Sequence, residues 1–302
     1  MGLPFLFRME NMAETIKIQL EDAFLPVEEE QVKEGKSFVL KRERAATALA
    51  TLVDALLVTA AADITQICYR YGVEPKDFQL SSRYNEKMFE EVAQVLDELE
   101  EEILDYISVY STKCTKDNDE KKLLLLWILA LGKNNMGLRK SLEQRLRVFS
   151  RDVEAMIVAA KTAKMDASKA VTTIRSYIHT AYQMPGMANA FKNASQFKAE
   201  YIRTRGVKQG NVGSSNSEAN NILRFARTTL QMGWMRWLRE EYDREGAIGF
   251  YVLRGSLFHC DFCQSYVGFH TIGDVEAFPP RHANCQCYTV PVFERDINDL
   301  TI

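Results

Sequence analysis

Proline and glycine are sparse, seven and 15 in 302 residues. That excludes collagen-like repeats and chains dominated by linkers. Long apolar runs are also missing. The longest, Leu123 to Leu131, has nine residues, whereas a bilayer span needs about 20. Ala45 to Ala62 is longer but is interrupted by Asp54 and three threonines. Both read as buried helix segments rather than membrane spans. At the N-terminus the apolar stretch before Arg8 is too short for a signal peptide, and Leu6 breaks the myristoylation pattern. Net charge is nearly absent, −3 from 38 basic and 41 acidic side chains. Histidine is rare, with four in all. What remains, 46% hydrophobic and 26% charged, is a globular composition with room for a core and one to three domains. These absences predict a protein made and kept in a reducing compartment. There, clustered cysteines bind metal more often than they pair as disulfides.

Helical periodicity dominates residues 12 to 240. Apolar residues at three- and four-residue spacings predict helices over Met12–Phe24, Lys36–Tyr71, Asn85–Val109, Asp117–Leu131, Leu138–Lys164, Ala167–Tyr182 and Glu218–Arg244. The Asn85–Val109 stripe runs through Phe89, Val92, Leu96, Leu99, Ile103 and Ile107. Asp166 or Ser168 is placed to cap the sixth of these helices. Gln209 to Ser217 (QGNVGSSNS) is the clearest loop. After Arg244 the pattern changes to three short strands, Gly249–Leu253, Val267–Ile272 and Tyr288–Phe293. Pro291 puts the last of these at a sheet edge. The expected architecture is therefore mainly α. A long helical region, 1–208, precedes a small α+β module, 218–302.

Charge sums to little but is segregated. Tyr84 to Tyr110 carries nine acidic residues and one lysine, a net of −8. Lys192 to Glu240 carries nine basic and three acidic residues, a net of +6. Either run can be a solvated helix face. The basic stretch also suits DNA phosphates or an acidic partner, with Arg203, Arg205, Lys208, Arg224 and Arg227 as candidate contacts.

The six cysteines are not scattered. Cys68 and Cys114 stand apart, and the other four fall between 260 and 287. Cys260 and Cys263 form a CxxC. After 21 intervening residues come Cys285 and Cys287, with His282 three positions before Cys285. Three of the four histidines, His259, His270 and His282, share this stretch. Two ligands three positions apart can grip a metal from one turn, and zinc takes four thiolate or imidazole ligands. Five donors, Cys260, Cys263, His282, Cys285 and Cys287, compete for four places. Cys260, Cys263, His282 and Cys285 make the best quartet, and Cys287 can replace either member of the second pair. The site is then structural zinc, a staple for strands too short to bury a core. Free thiols, or a disulfide between the two cysteine pairs, are the alternatives. No His-Glu-x-x-His or His-x-Glu pattern accompanies the cysteines, which disfavours catalytic zinc.

The run from Arg224 to Phe293 resembles the phage head morphogenesis family, the Mu F-like minor head proteins. The resemblance rests on Ala226-Arg227-Thr228 in a helix, the strand Gly249–Leu253, Cys260/Cys263, Gly268, Pro279-Pro280, His282-x-x-Cys285-x-Cys287 and Val290-Pro291-Val292. Thr229, Ala283 and Gln286 depart from the residues common in the family. The resemblance implies a non-enzymatic minor capsid protein that associates with the portal protein and other head components during assembly. Such a protein resides in the virion, without a membrane, and can touch packaged DNA. Two other readings stand beside it. One is a zinc-stabilised HNH-like nuclease, with His282 and Asn284 in its site. The other is a toxin or effector that carries the same module.

Overall fold

The computed structural model describes residues 29–72, 74, 85–131, 137–187, 217–255, 260–282 and 285–294. The expected helix at 12–24 and nearly all of the 209–217 loop lie outside them. Among the described residues, six helices of more than ten residues precede or flank a small sheet. They are α1 (Glu29–Arg70), α2 (Glu86–Ser111), α3 (Asn118–Ala130), α4 (Leu138–Thr162), α5 (Ala167–Tyr177) and α6 (Glu218–Arg244). A 3-10 segment, Ile178–Gln183, follows α5. Strands β1 (Gly249–Leu253), β2 (Gly268–Thr271) and β3 (Tyr288–Val292) form an antiparallel sheet in the order β2-β1-β3. The chain is mainly α with a small C-terminal sheet, as its periodicity predicts.

Contacts divide the chain into two compact units. One comprises residues to Thr47, Ser111–Leu124 and Arg227 onward, and the other comprises Ala48–Tyr110 and Leu125–Ala226. The expected partition near the 209–217 loop follows chain order. The compact units instead draw on distant segments, because α1 and α6 are long enough to contribute to both.

In the first unit, α1 presents a buried stripe at three- and four-residue steps: Val32, Gly35, Val39, Arg42 and Ala46. Such a stripe is what a core-facing helix offers. The length and composition of Glu30–Arg70 would also suit a membrane span, and 39% of its most apolar window is buried inside the protein. Val32 and Val39 pack on Leu253, Tyr288 and Val290, one face of the sheet. Phe250 and Val252 point to the opposite face and join Met235, Tyr242, Phe278 and three cysteines. Gly35 allows this approach. A Cβ there would lie 3.1 Å from the Thr289 carbonyl oxygen, so a side chain would push strand and helix apart. β3 is the edge strand that Pro291 predicts. Tyr242, fully buried, donates its hydroxyl to the Thr289 carbonyl at 3.0 Å.

Trp234 and Trp237 of α6 flank Phe38 of α1, with ring centroids 5.7 and 6.1 Å away. The Trp237 indole N–H donates to Glu120 at 3.0 Å. Glu120 also accepts from the Thr115 hydroxyl at 2.5 Å and pairs with Arg244.

In the second unit, Leu142, Leu146, Phe149, Val153, Met156 and Ile157 line the buried face of α4. Asp166 caps α5 by accepting the Lys169 N–H at 2.8 Å. The helix stops at Tyr177 rather than Tyr182, because Thr180 leaves helical geometry. Asp152, buried, accepts the Glu218 N–H at 2.8 Å and so closes the start of α6.

Two expected faces differ. On α2 the inner position belongs to Met88, and Phe89 is exposed. On α3 Leu124 and Ile128 are buried, while Leu123 and Leu126 are 68% and 66% exposed. The Leu123–Leu131 run is therefore only half buried, since a helix turns one side of any uninterrupted apolar run outward.

Thr115, Trp237 and Arg244 hold the Glu120 carboxyl down to about 2, chiefly through the hydroxyl and indole hydrogen bonds. A lowered carboxylate stabilises the fold above its ordinary range and loses that contribution on protonation. Glu120→Gln is therefore expected to lower the melting temperature at neutral pH. The gap from the wild type should close as pH falls from about 5 towards 2, as thermal melts across that range would measure.

Candidate metal centre

The helical turn Asp261–Gln264 creates the first half of the site. Cys260 sits just before it, with its carbonyl accepting the Gln264 N–H at 2.9 Å. One turn on, Cys263 projects to the same side. The second half comes from the segment leading into β3. The His282 carbonyl accepts the Cys285 N–H at 3.1 Å, a turn that brings the imidazole and the Cys285 thiol back over the first pair. His282 Nε2 lies 3.5 Å from Cys260 Sγ and 2.9 Å from Cys263 Sγ. Cys263 Sγ is 3.9 Å from Cys285 Sγ.

The five expected donors gather around Cys263, but the favoured quartet does not form a single compact group. The five form two groups whose donor atoms lie within 4.8 Å of one another, Cys260/Cys263/His282 and Cys263/Cys285/Cys287. Cys263 belongs to both. Either group is close enough to hold a metal ion. Cys263, Cys285 and Cys287 are buried in the core with Phe250, Val252 and Phe278, whereas Cys260 and His282 are partly exposed.

Electrostatics differ sharply among the thiols. Burial pushes Cys263 up to about 12. Cys285 is drawn down to about 5, first by the hydrogen bond from the Cys287 thiol and then by backbone N–H groups and the nearby His282. Cys287 moves upward, because its proton is held in that bond. Cys285 is thus the natural thiolate of the pair. Outside the cluster, burial pushes Cys68 and Cys114 up to about 12, which makes them inert thiols. His270 does not join the donors. Its ring lies 2.9 Å from both Asp274 and the Tyr266 carbonyl, and it stacks on Phe250. His259 and Asn284 lie outside the described residues.

Arg203, Arg205 and Lys208 also lie outside the described residues. Arg224 is partly buried in the second unit. Arg227, in the first, pairs with Glu43 at 3.3 Å. Glu43 also accepts from Gln231 at 2.8 Å and from Arg42 at 3.2 Å. The Ala-Arg-Thr segment is therefore tied to α1 through a shared carboxylate.

Sequence reasoning passed over two residues at the site. Arg42 of α1 is fully buried, and its guanidinium lies 3.5 Å from the carbonyl oxygens of both Cys285 and Cys287. Gly255 packs its main chain on Gln286, where an added Cβ would fall 1.9 Å from the carbonyl oxygen. An arginine on an otherwise apolar stripe was the available signal for the first.

Comparison with protein-family models, with curated proteins and with solved structures found no match for the chain.

Metal binding here requires thiols to lose protons. Adding a divalent metal to metal-stripped protein at neutral pH should release protons, since Cys263 retains its own up to about 12. Affinity should fall as pH is lowered. Calorimetry in buffers of different ionisation enthalpy would count the protons, and a pH-independent affinity would show that no thiol ligates.

Proposed function

We propose that the chain is a structural protein whose C-terminal sheet is stapled by one zinc ion. The observation that carries this reading is the convergence of CxxC, His282 and Cys285 within a few ångströms at the edge of a three-stranded sheet. Zinc–sulfur bonds of about 2.3 Å put tetrahedral ligand atoms about 3.8 Å apart. The 3.5 and 3.9 Å separations suit that spacing, and the 2.9 Å between His282 Nε2 and Cys263 Sγ would have to open on metal binding. Cys260, Cys263, His282 and Cys285 are the favoured quartet. Cys287 lies against Cys263 and Cys285 as the fifth donor. Four thiolate and imidazole donors suit zinc among common divalent ions, and a filled tetrahedron supplies folding free energy rather than chemistry.

The wider role follows from the resemblance to Mu F-like minor head proteins. The order helix, strand, CxxC, strand, HxxCxC, strand supports it. On this reading the protein is a minor capsid component of a tailed phage or prophage that docks on the portal protein during head assembly. It resides in the virion and makes non-specific contact with DNA. Arg203, Arg205, Lys208 and Arg224 are its candidate phosphate contacts. Arg227 is a weaker candidate because Glu43 engages it. The position of His282 Nε2 between two thiols suits a ligand better than a nuclease base.

Elemental analysis of purified protein should find zinc at about one ion per chain. Cys260→Ser and Cys285→Ser should each lose it while most helical circular dichroism remains. A metal content near zero with all thiols titratable would remove the staple. Co-expression with a phage portal protein, if one is encoded by a neighbouring gene, should yield a complex. DNA retention should be weak and steeply salt-dependent, and its absence at low salt would remove the DNA component alone.

A further inference from the structure

Arg42 has no role in the reading above, although it is fully buried and 243 residues away from Cys285 in sequence. A guanidinium stays charged in proteins, and burying it is costly unless its donors are paired. The structure pairs the two terminal nitrogens in one direction, with the carbonyls of Cys285 and Cys287 at 3.5 Å each and the Glu43 carboxylate at 3.2 Å, and leaves Nε buried without a hydrogen-bond partner. Those carbonyls flank Gln286, whose own carbonyl lies against Gly255. The three-residue segment that carries two of the five donors is therefore held from two sides, by a guanidinium fork and by a bare glycine backbone. A planar donor group that reaches two carbonyls restricts the main chain between them.

We infer that Arg42 is a positioning residue of the metal site, orienting the Cys285-Gln286-Cys287 turn so that its thiols meet the CxxC pair. This rests on reading the cluster as a metal centre. A group that orients ligands without touching the metal typically changes affinity by about 10- to 100-fold when removed. The same contact works in reverse. A metal that fixes the turn also fixes the carbonyls that Arg42 grips, so loading should tighten residues 36–47 of α1, which supply no ligand.

The test uses the full chain, stripped of metal and titrated with cobalt(II) and then zinc against a chelator. Arg42→Met fills the same stripe without donors, and Arg42→Lys keeps the charge but loses the fork. Both should bind at least about tenfold more weakly than the wild type and give an altered cobalt absorption spectrum, with unchanged metal-free helicity. Lys should recover part of the loss seen with Met. Wild-type affinity and spectrum in both variants would overturn the inference while leaving the metal centre standing. Failure of the wild type to bind either metal would overturn both. Hydrogen exchange on the wild type alone gives an independent check, needing no variant to fold. Amides of residues 36–47 should gain protection on metal addition, and unchanged exchange there despite bound metal would overturn the coupling.

Discussion

The main chain from Cys285 to Val292 is held on every side, and the C-terminal sheet takes its position from that. Gly35 lets α1 approach the Thr289 carbonyl, which Tyr242 also binds from α6. Arg42 reaches the two carbonyls just upstream. β1 supplies the remaining hydrogen bonds in register from Gly249↔Val292 to Leu253↔Tyr288. An edge strand normally offers unpaired backbone to any passing chain. Here Pro291 removes one donor and the Tyr242 hydroxyl covers one acceptor.

A sheet of three short strands cannot bury both of its faces alone. The structure resolves this by lending it the start of α1, whose stripe covers Leu253, Tyr288 and Val290, and the second half of α6, whose Met235 and Tyr242 cover the other face. The C-terminal module is thus built from both ends of the chain. A metal in the Cys/His cluster would lock a unit that apolar contact has already assembled. That differs from a small zinc domain, in which the ion substitutes for a missing core. The predicted survival of helicity after Cys260→Ser follows from this division of labour.

The elements themselves were largely legible. Period-3.6 stripes located α2 to α6 to within a few residues, and β-branched and aromatic runs bounded by glycine located all three strands. The cysteine spacing was enough to assemble the five donors, because a CxxC and an HxxC each fix local geometry within one turn. What periodicity could not supply was the identity of the surface each stripe meets. Phe89 and Met88 are neighbours in sequence, and only packing decides which turns inward. The leucines of α3 form an unbroken run, so nothing local marks Leu124 from Leu123. Arg42 and Gly35 lie on an apolar stripe, where each looks like a defect until the strand they receive is known. Partners separated by more than 200 residues leave no local trace in the sequence.

The fifth donor follows from the same geometry. Three thiols lie in an apolar core, and their charges repel. If all three ionised, the cost of burying them would be severe without a cation. Cys285 and Cys287 shift in opposite directions, Cys285 downward and Cys287 upward, which favours one charge on the pair over two. An incoming cation would find Cys263 and Cys287 beside Cys285, and Cys260 and His282 beside Cys263. Cys263 belongs to both donor groups, so either metal arrangement would draw on it.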